Sequence, residues 1–121
     1  MRKLLFFLLL SGCVQNIELS NFNKQEWKSD LMGCSGLRAN QFQEIMAQKM
    51  VLLEKSESAI VKLLGSPDKN QLSSRNQKIY HYYTLPGPNC ASKQDSTSYL
   101  SIRFNAVGLS SEVLHYKQQN N

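Results

Sequence analysis

This chain is short of the residues from which most active sites are built. Its 121 residues include two histidines, three cysteines and one tryptophan. There is no C-x-x-C pair, and only His81 and His115 could assist a cysteine. A structural metal site needs several closely spaced Cys or His ligands, so none is expected. The carboxylates are scattered and no two are spaced as an acid/base pair, which argues against an enzyme. The basic residues form no run. Nucleic-acid binding would need a basic patch interleaved with aromatics, so that partner is not expected. Nothing implies a cofactor or a small-molecule substrate. No apolar run approaches the ~20 residues that span a bilayer. The length suits one small domain with a modest core.

What is present begins at residues 1–13. Arg2 and Lys3 form a basic n-region, and Leu4–Leu10 is unbroken apolar sequence. Such a run covers only ~10 Å as a helix, against a hydrocarbon core of ~30 Å. It therefore reads as an export signal. Its end, Leu10-Ser11-Gly12-Cys13, resembles a bacterial lipobox. That resemblance implies cleavage before Cys13, removal of residues 1–12 and diacylation of the Cys13 thiol. An ordinary signal peptide with a chance cysteine is the competing reading. Each buried methylene contributes ~0.8 kcal/mol, so one acyl chain binds marginally and several hold essentially permanently. The bilayer is thus the first expected partner. Val14, not Asp, follows Cys13, which favours the outer membrane, facing the periplasm. Losing Arg2 and Lys3 from 14 basic residues leaves 12 against 9 acidic ones, a net charge of +3.

With Cys13 carrying lipid, Cys34 and Cys90 remain. Exported chains lie where disulfides persist, so a Cys34–Cys90 bridge is expected. Closing so long a loop contributes up to about 4 kcal/mol by chain entropy. Gly33-Cys34-Ser35-Gly36 approaches the G-x-S-x-G nucleophile elbow, but its second glycine comes one residue early. It reads instead as a tight turn with glycines at positive φ.

Residues 13–23 show no sustained period and read as a tether, and residues 118–121 as a frayed tail. Residues 24–117 form the domain. Lys24–Leu31 reads as a short helix with Trp27 and Leu31 on one side. Trp27 packs this segment or, alternatively, anchors a partner. Leu37–Leu53 carries a helical stripe of Phe42, Ile45, Met46, Met50 and Leu53, with Asn40 as a candidate cap. Its methionines read as core filler. Ser56–Leu64 is a second helix, capped by Ser56 and ended by Gly65 and Pro67.

Lys69–Gln77 is polar and reads as a loop. The period then changes to two. Lys78–Leu85, Ser98–Asn105 and Leu109–Lys117 read as strands, the last two joined by a turn at Asn105–Gly108. Leu100, Ile102 and Phe104 share one parity, and Tyr99, Ser101 and Arg103 the other. Helices followed by strands imply α+β, with two helices on one face of a three-stranded antiparallel sheet. The other face is expected to be wetter. Tyr80, Tyr82 and Tyr99 are its candidate partner-binding residues, or simply good β-formers.

Three features together resemble the SmpA/OmlA (BamE-like) domain of envelope lipoproteins. They are Ser56-x-x-x-Ile60-x-x-Leu63-Leu64-Gly65-x-Pro67, then Tyr80-x-Tyr82, then Leu100-x-Ile102-x-Phe104 with Gly108 beyond. They cover about residues 54–114. Glu54-Lys55 stand where the family has Gly-Met. The resemblance implies the helix–helix–three-strand layout, also seen in β-lactamase-inhibitor-like modules. It further implies a non-catalytic accessory role in outer-membrane protein assembly.

The expected function is a membrane-anchored binding module with an envelope protein partner. The alternative is an inhibitor or immunity lipoprotein that neutralises an enzyme through its sheet face. Metabolic palmitate labelling checks the anchor. The wild-type chain is expected to carry label and Cys13→Ser to carry none. Unlabelled wild type would end the anchored reading.

Overall fold

The computed structural model describes residues 16–92 and 95–119. Cys13 and the signal segment lie outside the described residues. Three short helices, α1 (Lys24–Ser29), α2 (Phe42–Ala47) and α3 (Glu57–Leu64), precede four strands. These are β1 (Lys69–Ser73), β2 (Gln77–Tyr83), β3 (Ser96–Phe104) and β4 (Ser110–Gln119). They form one antiparallel sheet in the order β1-β2-β3-β4. The class is α+β as expected, with four strands rather than three.

Local chemistry sets α3. The Ser56 side chain accepts the Ala59 N–H at its N-terminus, and Glu57 lies in the first turn, where the helix dipole favours negative charge. Gly65 ends it with φ of 81°, a conformation costly for other residues. Tyr82 then donates its hydroxyl to the Gly65 carbonyl at 2.8 Å, tying the helix end to β2.

The long helix expected over Leu37–Leu53 is broken. Only Phe42–Ala47 is α-helical, with 3-10 turns at Arg38–Asn40 and Lys49–Leu52 on either side. Gln48 marks the break. Its amide donates back to the Glu44 carbonyl and also to the Ser20 carbonyl. Beyond it the chain turns so that Leu52 is buried while Met50 stays 73% exposed. Residues 52–55 then bond to Ser110 at the start of β4. A continued helix would forfeit those bonds. Asn40 caps nothing; it lies inside a 3-10 turn.

The tether assigned to residues 13–23 also needs correction. Ile17, Leu19 and Phe22 pack on the core, and Ser20 and Gln48 exchange two hydrogen bonds of 2.8 Å. At the other end, β4 stays paired through Gln119, opposite Ser96, so residues 118 and 119 are not frayed.

The loop expected at Lys69–Gln77 contains β1, a hairpin partner of β2. Its side chains are polar except Leu72, and all but Ser73 are exposed, so burial periodicity could not reveal it. Arg75 and Asn76, both with positive φ, make the turn.

The core lies between the helices and one sheet face. Ile45, Ile60, Leu63 and Leu64 meet Tyr80, Tyr82, Leu100, Ile102, Phe104 and Val113. Trp27 is fully buried among them, whereas Leu31 is 67% exposed, so the two do not share a side. Cys34 and Cys90 lie at disulfide distance, with Cα atoms 5.4 Å apart. The adjoining turn admits only glycine at position 33. Its φ is 68°, and an added Cβ would fall 2.7 Å from the Leu85 carbonyl oxygen.

Arg38 is fully buried beside this turn. Its Nε donates to the Trp27 carbonyl at 3.0 Å, and Nη1 donates to Asp68 and to the Tyr83 carbonyl. Its guanidinium carbon lies 5.1 Å from the Trp27 ring centroid and 5.8 Å from that of Tyr82. Removing one partner of a buried pair strands the other charge, at a cost of about 3–5 kcal/mol. Urea unfolding of Arg38→Met is expected to show that loss. Arg38→Met/Asp68→Asn together should cost less than the sum of the single changes. Additive effects would show the two residues to be uncoupled, and a loss below about 1 kcal/mol would show the pair to be dispensable.

Candidate functional site: the open sheet face

Antiparallel pairing places paired residues on the same side of the sheet. Tyr80 lies opposite Ile102, and Tyr82 opposite Leu100. Both tyrosines therefore face the core, and they are buried. This corrects their assignment to the outer face. Trp27 is likewise unavailable to a partner. Of the four candidate residues, Tyr99 alone points to the opposite side. There it is joined by two tyrosines that the sequence reading did not single out. Tyr83 is its partner on β2 and Tyr116 its partner on β4.

The three rings form a row across β2, β3 and β4 at the level of the last residue of β2. Tyr83 and Tyr99 have centroids 6.3 Å apart, and Tyr99 and Tyr116 5.6 Å apart. His81 sets its ring edge to face with Tyr99 at 5.0 Å. Tyr99 is thus the hub, touching one ring on each of three sides. Tyr83 and Tyr99 are half-buried and Tyr116 is 42% exposed. Burial first, then the Asp68 carboxylate and Tyr99, raise the Tyr83 phenol above its ordinary pKa, so it stays a neutral donor.

Beneath the rings, the polar groups are already paired. His81 Nδ1 lies 2.6 Å from the Ser101 hydroxyl and Nε2 lies 2.9 Å from Gln71 Oε1. That pattern fits a neutral imidazole whose Nε2–H donates to Gln71. Arg103 donates to Gln77 at 3.1 Å near the hairpin end. The face offers aromatic surface with polar tips, and no free nucleophile at its centre.

Two other polar clusters were candidates for chemistry. His115 Nε2 lies 2.9 Å from the Ser98 hydroxyl and 3.0 Å from that of Thr84, a distance a nucleophile–base pair would have. Yet Ser98 is 3% exposed and Thr84 fully buried, and Phe42 stacks on the imidazole at 4.1 Å. The trio fastens β4 to the neighbouring strands and to α2. In the second cluster, Tyr80 and Lys78 both donate to Glu57 Oε1, at 2.7 and 3.2 Å. The Tyr80 hydrogen bond holds Glu57 below the usual carboxylate range. Burial and Glu57 push Tyr80 up to about 12, far from a useful base. Among the described residues no group of three His, Cys, Asp or Glu could hold a metal ion.

No family of proteins, no curated protein and no solved structure matches this chain. The case for function therefore rests on the chain's own residues.

Signals for the missed residues were partial. Tyr82-Tyr83 are adjacent, so one of them had to oppose the other in a strand. The parity of Leu100, Ile102 and Phe104 marks the core side of β3 and leaves Tyr99 outside. The register linking β2 to β3 was what the sequence withheld.

Both imidazoles are held neutral. Burial lowers each pKa, with Lys69 adding to the effect on His81 and Lys117 to that on His115. The unfolded chain takes up these protons below about pH 6.5, whereas the folded chain resists until lower pH. Stability is therefore full above that value. It falls as the pH drops toward the folded pKa values, by at most about 1.4 kcal/mol per pH unit per histidine. Urea midpoints measured from about pH 7.5 down to 5 should decline, and His81→Gln/His115→Gln should flatten that decline. A flat wild-type profile would show that neither imidazole is held neutral by the fold.

Proposed function

We propose that this chain is a lipid-anchored protein of the cell envelope, a non-catalytic module that docks a protein partner on its open sheet face. The observation that carries the reading is the Tyr83–Tyr99–Tyr116 line. It holds three amphipathic rings at a surface from which every helix of the buried cluster is absent. Tyrosine supplies large contact area at low entropic cost and is enriched at interfaces. Among the described residues, the Ser98–Thr84–His115 trio is sealed and the Glu57–Tyr80 pair is engaged, so neither cluster supports an enzyme.

An accessory role in outer-membrane protein assembly extends this reading through the SmpA/OmlA resemblance. One detail favours that resemblance. Glu54 stands where the family has glycine, and its φ is 59°, in the left-handed region that glycine adopts freely. A glycine here would adopt that conformation without strain, and Glu54 donates its N–H to the Ser110 carbonyl from it.

Photocrosslinking in intact cells tests the docking face. Photoreactive phenylalanine analogues at positions 99 and 116 keep a ring in place and should each yield an adduct with one envelope protein. The same group at Lys49, exposed on the helix layer, should give none. Adducts from position 49 alone would move the interface to the helices, and none from any position would overturn the binding reading.

A further inference from the structure

The anchor and the domain are closer together than a flexible tether would allow. Lys62 Nζ donates to Asn16 Oδ1 at 2.9 Å, which holds the first described residue to α3. Ile17, Leu19 and Phe22 follow as apolar contacts with the core. Ser20 is then fastened to Gln48, and the Asn23 N–H to Gln41 Oε1 at 2.8 Å. Residues 16–23 are therefore a strap belonging to the fold. Only Val14 and Gln15 separate it from Cys13. An extended chain spans at most ~3.6 Å per residue, so the Cα atoms of Cys13 and Asn16 are at most ~11 Å apart. A free tether reaching Lys24 would allow roughly 40 Å, nearly four times that distance.

We infer that the face formed by the strap, Lys24 and the C-terminal end of α3 lies against the phosphate layer of the membrane that holds Cys13. This rests on the acylated reading of Cys13 given above. Charge and shape both suit it. Lys24 and Lys62 are exposed and line one shallow hollow of about 280 Å³ beside Asn16, in which Glu18 is the acidic member. Lys28, one turn further along α1, packs beside Gly65 at the end of α3. Three lysines against one glutamate present a cationic surface. A leash of ~11 Å keeps that surface near the ~8–10 Å range over which lipid charge acts at physiological salt. Lysine stems can lie along apolar neighbours such as Ile17 and Leu63 while their ammonium groups reach phosphate. The tyrosine face, on the far side of the sheet from α3, is then turned away from lipid and toward a partner.

The test uses the full acylated protein in vesicles of phosphatidylcholine and phosphatidylglycerol, neither of which carries a reactive amine. Full-length Cys13→Ser, unanchored beside the same vesicles, is the reference. A membrane-impermeant amine reagent is applied and each lysine is followed by mass spectrometry. Lys24 and Lys62 should react about threefold or more slowly in the anchored protein, while Lys69 on β1 should be unchanged. Equal reactivity of all three in both proteins would overturn the orientation and leave the anchor standing. Slowing of Lys69 alone would also overturn it, by placing the sheet against lipid. The mass of the N-terminal peptide reports the anchor separately, and its lack of acyl chains would remove the anchored reading and this inference with it.

Discussion

A single buried guanidinium holds the helical half of this molecule to the sheet. Arg38 reaches the end of α1 through the Trp27 carbonyl, the segment after α3 through Asp68, and the end of β2 through the Tyr83 carbonyl. Asp68 in turn accepts the Met32 and Tyr83 N–H groups. Asp30, fully buried, accepts the Ser35 and Arg38 N–H groups and so positions the arginine's own backbone. Desolvating such charges costs several kcal/mol per ion, and only a nearly complete set of partners offsets it. That demand gives the cluster its specificity: a shifted turn or slipped strand would leave a buried ion unpaired. A bridge between Cys34 and Cys90, which lie at disulfide distance, would act differently. Its effect would be mainly on the unfolded ensemble, where it would close a loop of 56 positions. One link would limit what the unfolded chain can do; the other selects which folded arrangement is tolerated.

This division explains what could be read from the residues alone. The cap at Ser56, the stop at Gly65 and the turn at Asn105 are local signals. Each is fixed by a side chain within a few positions, and each is found in place. The alternation of Leu100, Ile102 and Phe104 is equally local and marks the core side of β3. The Arg38 cluster is of another kind. Its members come from positions 27, 30, 38, 68 and 83, and nothing in the sequence around Arg38 distinguishes it from a surface arginine. The strand β1 escaped for a third reason. An edge strand of polar residues takes its stability from the ladder with β2, so it has no burial pattern to read. The tyrosine parity needed the register between β2 and β3, which depends on where the intervening loop returns.

The two faces of the sheet use the same residue types to opposite ends. Tyr80 and Tyr82 turn inward, and each hydroxyl reaches a partner at the rim, Glu57 and the Gly65 carbonyl. They act as long hydrophobes with a polar tip, joining the sheet to α3. Tyr83, Tyr99 and Tyr116 turn outward, where their rings meet one another and His81, and Tyr83 also borders Gly87. Tyr99 sets its ring against His81, and Ser101 and Gln71 bond its two nitrogens, which together shield the imidazole from water.

That shielding explains why a polar pair sits at the centre of an uncovered face. If His81 and Ser101 were apolar, the middle of the sheet would present a larger greasy patch, a liability for a chain with two open sheet edges. With the imidazole bonded to Ser101 and Gln71, the centre is polar but saturated, and the affinity available to a partner lies in the rings around it. Under the docking proposal, such a surface would resist indiscriminate association while offering aromatic area to a matching one. The strap adds the remaining constraint. Because residues 16–23 belong to the fold, a membrane anchor at Cys13 could not swing this face freely. The packing that completes the core would then also limit how far this face can stand from the bilayer.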